Sequence, residues 1–472
     1  MTVSRLVLSL LTTSAAVAVA SAAMADPPGR VGRVSYVEGD VSFTPPGETD
    51  WTDALRNFPV APGESFWTGD RGRAELQVGA LEARLDSQTE LDVLSLDYGR
   101  TRLALPQGSM DLRVWRVPRG GVLIATPAGD VQIDQAGAYR IDVGAQTDDG
   151  YYPPVQVTVL EGSALTPGAE GLERVEAGES ALIYAGYDPQ YDDAQDAAID
   201  DWARSREARE HWARRVSDDD DAFTGYDDLA VYGQFVIDRD YGEVWYPRNV
   251  PSDWAPYRDG HWAYVQPWGW TWIDDQPWGF APFHYGRWAQ INNRWAWVRG
   301  QYDREPVYAP ALVAFIGGGG LNFGLSISGS GGGWRGGGVG WVPLAPDEVY
   351  RPSYQVSETY VRRVNITNVR QTTINSITIN NPTTVNQYRN VGAATVVRSD
   401  AFTHGAPVRG ATSPLPPQAL GAAPITTQIS NLAPDRAART GGAKPGGAQP
   451  GPGAQGGPLP SAQGQGPIAP SR

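Results

Sequence analysis

The chain has 472 residues, a formal net charge of −15 and no Cys. The acidic balance argues against a nucleic-acid partner, whose phosphates it would repel. The lack of Cys excludes disulfides and a Cys-borne lipid anchor.

The N-terminus begins Met1-Thr-Val-Ser-Arg5, runs apolar from Leu6 to Ala20 and ends in Ala23-Met24-Ala25. A basic start, a short apolar core and an A-x-A site predict a signal peptide over 1–25, cleaved near Ala25, and a periplasmic or secreted protein. The apolar core is too short to span a bilayer, and no later stretch offers about 18 clean apolar residues, so no transmembrane span is expected.

Residues 31–186 read as short strands. Apolar side chains alternate at Ala74, Leu76, Val78; Met110, Leu112, Val114; Tyr139, Ile141, Val143; and Val155, Val157, Val159. Period two places one face inward and one outward. Gly-centred turns are expected at Gly39, Gly63, Gly108, Gly162 and Gly178, which indicates a β-sandwich, roll or solenoid.

Within this stretch, Val37-Glu-Gly-Asp-Val41, Pro62-Gly-Glu-Ser-Phe-Trp-Thr-Gly69, Leu85-Asp-Ser-Gln-Thr-Glu-Leu91, Gly137-Ala-Tyr-Arg-Ile-Asp-Val143 and Val157-Thr-Val-Leu-Glu-Gly-Ser163 follow in order. The segment resembles a FecR-type domain. In that family the domain is periplasmic and relays a signal from an outer-membrane transporter to a sigma factor. The relay needs a cytoplasmic anti-sigma segment and a membrane helix, which the residues ahead of Val31 do not supply. The resemblance therefore implies the β fold and the extracytoplasmic address, and not the relay.

Residues 188–225 are predicted as an acidic linker with a bridging helix from about Gln190 to Ser217. From Asp188 to Asp228 there are fourteen acids and five Arg. Asp200 with Arg204 and Glu210 with Arg214 have the i,i+4 spacing of helix-surface ion pairs. The acids Asp218 to Asp221 suit the negative C-terminal end of a helix badly and should stop it.

Residues 226–350 hold most of the chain's Trp: ten of 17 lie between Trp245 and Trp297. A Gly-x-aromatic step recurs at Gly233, Gly260 and Gly286, spaced 27 and 26 residues apart, and again at Gly300. Trp270-Thr-Trp272 and Trp295-Ala-Trp297 follow the second and third. One hairpin per repeat is expected, with Gly and the Asp259-Gly260 and Asp274-Asp275 pairs at turns. This block resembles a domain of unknown function found in exported bacterial proteins. Residues 317–340 carry thirteen Gly; lacking the strand, helix and Lys of a phosphate loop, they read as a flexible or close-packed loop. The echo of Trp245-Tyr-Pro in Trp341-Val-Pro predicts a further strand there.

Residues 351–400 are an Asn/Thr-rich extended segment with expected strands at Val364–Val369 and Thr373–Asn380. Residues 401–472 are Pro, Gly, Ala and Gln, a composition that predicts a disordered tail.

No catalytic, cofactor or metal site is expected. The four His lack ligand spacing. Asp238-Arg-Asp240-Tyr-Gly242-Glu243 lacks the acids of a calcium loop and reads as a hairpin turn. Asp259, Asp274 and Asp275 lie among Trp, as a glycosidase pair would, but also where turns want Asp. The candidate ligand platform is Trp262, Trp270, Trp272, Trp288, Trp295 and Trp297, offering flat faces to a glycan or an extended peptide. The competing reading is that these indoles are core, since a strand of alternating Trp must bury one face.

The expectation is an all-β, non-enzymatic exported protein: a FecR-like domain, one linking α-helix, a Trp-rich hairpin-repeat domain and a disordered tail. It would bind or scaffold an envelope protein or polysaccharide. The alternatives are a signal-relay component and a carbohydrate-active enzyme.

Overall fold

The structure is a computed structural model that describes residues 26–147, 150–214, 223–300, 305–317, 338–369, 384–412 and 423–441. The signal segment, the acids Asp218 to Asp221, most of the Gly-rich run and the strand expected at Thr373–Asn380 lie outside these residues.

Among the described residues the first module holds seventeen strands. They begin with β1 (Gly32–Glu38), β2 (Val41–Thr44), β3 (Thr52–Asp53), β4 (Pro59–Val60), β5 (Ser65–Thr68) and β6 (Arg73–Val78). Next come β7 (Leu81–Leu85), β8 (Glu90–Leu96), β9 (Thr101–Val114), β10 (Val122–Thr126), β11 (Gly129–Ile133) and β12 (Gly137–Val143). The last are β13 (Val155–Glu161), β14 (Ser163–Pro167), β15 (Leu172–Glu176), β16 (Glu179–Ile183) and β17 (Gln190–Asp193).

Pairing resolves them into two sheets that share one long strand. One runs β4-β1-β6-β7-β9-β12-β13-β16-β17. The other runs β3-β2-β5-β8-β9-β10-β11-β14-β15. Every contact is antiparallel except β9–β10. The inward residues of both sheets (Leu76, Leu112, Ile124, Ile141, Val157) are buried, as the period-two pattern requires.

Gly39 and Gly162 stand where the chain steps from one sheet to the other, both with positive φ. Gly108 is different from expectation. It turns nothing: it lies inside β9, at the point where Thr101–Gln107 leave one sheet and Gly108–Val114 join the other. Its φ is +99°, and a Cβ there would overlap Thr89. Only Gly lets one strand serve both layers at that bend.

Helix α1 (Ala198–Arg214) is shorter than the sequence suggests, because Gln190–Asp193 extend the sheet as β17. It lies on the first sheet through buried charge rather than bridging freely. Arg84 is fully buried and reaches Glu75 (2.9 Å), Asp111 (3.1 Å), Glu82, and Glu207 of α1 (3.0 Å). Arg206 of α1 grips both oxygens of Glu75 at 2.9 and 2.6 Å. Burial alone would raise the Glu75 carboxyl, but the hydrogen bonds from Arg206 and the charge of Arg84 hold it below the usual carboxylate range. Asp200 faces inward to Arg140 instead of pairing Arg204, which takes Asp201 at 2.6 Å.

The second module continues with α2 (Asp227–Tyr232), β18 (Gly233–Asp238), β19 (Gly242–Pro247), β20 (Gly260–Val265), β21 (Gly269–Asp274), α3 (Ala281–His284), β22 (Arg287–Ile291) and β23 (Arg294–Val298). Then follow β24 (Val313–Ile316), β25 (Gly338–Pro343), α4 (Glu358–Asn365), β26 (Thr395–Arg398), α5 (Ser399–Thr403), β27 (Ile425–Thr426) and α6 (Arg436–Arg439). Three sheets result: β18-β19-β23-β22, β20-β21 and β26-β25-β24-β27. The strand expected at Gly340-Trp-Val-Pro is β25. At the β18–β19 turn, Asp238 Oδ1 accepts from the backbone N–H groups of Asp240 and Tyr241 at 2.8 and 3.0 Å, as a hairpin turn would.

Two expectations fail here. Val364–Val369 is no strand: α4 covers 358–365, capped by Ser357 Oγ, which accepts from Tyr360 N–H. Asn365 is buried, with its amide bonded to Arg287, Val361 and both backbone groups of Tyr350. The tail is ordered in part. Phe402, Val408, Ile429, Leu432 and Ala438 are buried in the same continuous core as the sandwich and the Trp block.

The modules are fused rather than linked. Asn57 Nδ2 donates to Asp274 O (2.9 Å) and Gln276 O (2.7 Å), Arg33 pairs Asp228 at 2.6 Å, and Thr224 Oγ1 donates to Val31 O at 2.7 Å. Among the described residues no helix is long and apolar enough to cross a membrane.

Candidate functional site

The Trp block is built from three hairpins, β18–β19, β20–β21 and β22–β23, one per Gly-x-aromatic repeat. The Gly is at the foot of each hairpin and not at its turn. Gly233 pairs with Pro247 and Gly260 with Asp274, the residues farthest from the loop. A Cβ on Gly233, Gly260 or Gly286 would overlap the indole of Trp245, press into Trp272, or overlap Trp297. Each repeat thus folds an indole across a bare Cα of the neighbouring strand.

Several of the indole N–H groups donate to acceptors of this same chain, while those of Trp262 and Trp288 are buried without a hydrogen-bond partner among the described residues. Trp245 Nε1 donates to Leu229 O (2.7 Å), Trp297 to Tyr285 O (2.9 Å), Trp272 to Asp274 Oδ2 (3.0 Å) and Trp341 to Tyr257 O (3.1 Å). Cross-strand pairs Trp262–Trp272 and Trp288–Trp297 follow directly from the register.

Of the six platform candidates, Trp262, Trp270, Trp272, Trp288 and Trp297 are at most 2 % exposed, so they are core; Trp295 alone keeps a partly exposed ring. Trp262 packs edge-on to Trp272 (5.6 Å) and Trp341 (5.2 Å) and against Phe402 (5.5 Å). Trp270 meets Phe402 at 4.4 Å and donates from Nε1 to Leu432 O. The faces that would have stacked on a ligand are covered by this chain's own α5 and by its segment near Leu432.

The carboxylates among the Trp are also engaged. Asp259 makes a bidentate pair with Arg409, at 2.6 and 2.7 Å. Asp274 is buried; Oδ1 accepts from Gln276 N–H and Oδ2 from Trp272. Burial raises its carboxyl well above the usual range despite those bonds. Both sit with Asp275 at the open foot of β20–β21, where Asp275 N–H donates to Asp259 O, rather than at the turn, which is Gln266–Trp268.

His284 is fully buried, stacks on Tyr308 at 4.7 Å and donates from Nδ1 to Ala309 O at 2.8 Å. Burial pushes its imidazole down to about 3, so it is neutral at physiological pH. His261 Nε2 donates to Gly441 O, and His404 lies 3.0 Å from Asp435. Among the described residues no three His, Cys, Asp or Glu side chains gather as a metal site. Tyr257, which the sequence did not single out as a site, is the hub: its Oη donates to Phe283 O (2.8 Å) and accepts from Leu312 N–H (3.0 Å).

What remains exposed is elsewhere. Tyr151, Tyr152, Leu172, Tyr187 and Tyr191 are exposed on the sandwich, and Ile237 and Val236 are exposed on β18.

Two crystal structures of a protein described as a candidate anti-sigma factor from Parabacteroides distasonis ATCC 8503 are similar to this chain at 12 % and 11 % identity. Each aligns over 32 % of this chain and 73 % of that one, with TM-scores of 0.26 and 0.25. No curated relative matches the chain. Residues 226–348, which span the three Trp hairpins and the strands β24 and β25, match the model of a family of unknown function, DUF6600.

Proposed function

We propose that this is an exported, non-enzymatic binding or scaffolding protein of the bacterial envelope, whose Trp block serves as the keystone of a rigid body and whose partner surfaces lie on the sandwich and on β18. The observation that carries the reading is the continuous core joining the sandwich, the Trp hairpins and the segment from Phe402 to Ala438. A chain that invests its indoles in uniting distant segments gains a fixed spacing between surfaces, which a scaffold requires. Of the three Asp that glycoside hydrolysis would draw on, Asp259 is held in a bidentate pair by Arg409 and Asp274 is buried in its own hydrogen bonds, which supports the non-enzymatic reading. The polysaccharide partner loses support with the burial of the platform, and a protein partner is favoured.

The test combines fractionation with site-specific photo-crosslinking in producing cells, using probes at Tyr187 and Ile237. Discrete protein adducts in the periplasmic fraction, with no sugar release from peptidoglycan by the purified chain, are expected. Confinement to the cytoplasm, or hydrolysis that stops on Asp259→Asn, would overturn the reading.

A further inference from the structure

The two ends of the sandwich differ. At one end, Asn57 beside β4 is bonded to the second module, and Gly441 packs over Leu55 and Phe58. At the other end the sheets finish in β15 and β17. Each pairs with a strand on one side only, β14 and β16 respectively; on the outer edge of β17 the Asp193 N–H donates to Asp192 Oδ1 at 2.8 Å and its C=O accepts from Gln195 Nε2 at 3.3 Å, and among the described residues no strand pairs with either outer edge. All four residues of β17 are exposed.

Free edges of this kind add strands from other chains unless guarded. Here the rim is not merely guarded. Tyr191 sits opposite Ala181, a buried core residue, so its ring continues the inner face of the sheet past the last covered strand. Its Oη crosses the mouth to Glu173 of β15 at 2.9 Å. Asp188 accepts from Ala169 N–H in the β14–β15 turn at 2.8 Å, which brings the loop carrying Tyr187 against the same rim. Tyr187 is 70 % exposed, Leu172 50 % and Tyr191 46 %. Large apolar groups held in water on one rim mark a contact surface.

Charge names the occupant. Residues 168–196 contain eight acids (Glu170, Glu173, Glu176, Glu179, Asp188, Asp192, Asp193, Asp196) and a single base, Arg174. A second copy of this end would be repelled, and so would an anionic glycan or a phosphate.

We infer that the β15–β17 end of the sandwich is a docking edge for an extended, basic segment of another protein, which adds as a strand to β17. Its backbone pairs with the free edge. Its apolar side chains rest on Tyr191, Tyr187 and Leu172, and its Arg or Lys side chains meet Asp192 on the outer face. The inference rests on the binding reading above and names its partner's chemistry.

The probe is a fluorescein-labelled octapeptide of alternating Arg and Val, titrated with the full chain by anisotropy at low and high salt. The expected result is saturable binding that weakens by about tenfold or more in high salt. Two exposed variants, Asp192→Lys with Asp193→Lys and Tyr187→Ser with Tyr191→Ser, should each weaken it by about tenfold. A Glu/Val octapeptide should not bind, and an Arg/Val peptide N-methylated at alternate residues, which cannot form a strand ladder, should bind much less. No binding by the unmodified chain, equal binding by both variants, or equal binding of the methylated peptide would overturn the inference. Failure here together with crosslinks at Ile237 would sink the docking edge and leave the scaffold standing. Failure of crosslinking at both positions would remove the scaffold itself.

Discussion

The indole of Trp297 lies directly over the Cα of Gly286, so close that a Cβ on Gly286 would overlap its Nε1 and also approach Val298 O. Gly286 also has φ +69°, a conformation that side chains resist. Gly286→Ala should therefore cost more than its volume suggests. Backbone strain and a displaced buried indole together predict a loss of about 2–4 kcal/mol. Chemical denaturation of the full chain measures it, and Gly242→Ala, where nothing lies within 4 Å of the added carbon, is the control that carries the strain alone.

The Arg84 cluster gives a second prediction. Arg84→Met would leave Glu75, Glu82 and Asp111 buried with less or no counter-charge. Removing one partner of a buried ion network typically costs about 3–5 kcal/mol. Because the site is shielded from solvent, the loss should persist in high salt, unlike a surface pair. Denaturant midpoints at two ionic strengths test both parts.

A third concerns pH. Glu64 is buried, and burial pushes its carboxyl from 4.5 up to about 8 although Oε2 accepts from the Ala61 N–H at 3.0 Å. The folded state holds the proton more tightly than the unfolded chain. Stability from this group is therefore full below about 4.5 and is lost as pH rises toward 8, at up to about 1.4 kcal/mol per pH unit. Glu64→Gln should flatten that slope, so the variant should gain on the wild type between pH 5 and pH 8. A constant difference across the range would contradict the assignment.

The partly ordered tail supplies a fourth. Phe402 meets Trp270 at 4.4 Å and Trp262 at 5.5 Å. Phe402→Ala should cost about 3–5 kcal/mol, the range for a buried aromatic. A tail that merely hangs in solvent would give no measurable change in the thermal midpoint.

These residues also show where the sequence was readable. Strand alternation fixed the sandwich, since Leu76, Leu112, Ile141 and Val157 could only face inward. The Gly-x-aromatic period identified three hairpins but placed their turns at the wrong end. Asp259-Gly260 has turn chemistry, and the competing reason for Gly260, an indole packed against it, depends on a partner strand that spacing does not reveal. The tail misled through its average. Phe402, Val408, Ile429 and Leu432 are scattered among Pro, Gly and Ala, too sparse to form a core themselves but sufficient to dock on one already made. The Asn/Thr stretch hid a helix because Val364-Asn-Ile-Thr alternates; the Ser357 cap was the signal that could have found α4. The indoles presented two legible readings, core or platform, and burial decided between them.

The measurement that bears most directly on the central claim is thermal and denaturant unfolding of the full chain carrying Trp270→Ala with Trp272→Ala. If the Trp block is the keystone, the double change removes two buried indoles from a core that joins all three segments, and the cooperative transition should collapse to a low, broad one, in line with a loss of at least about 3–5 kcal/mol. A variant that unfolds like the wild type while losing affinity for a glycan or peptide would contradict the account and restore those indoles as a binding face.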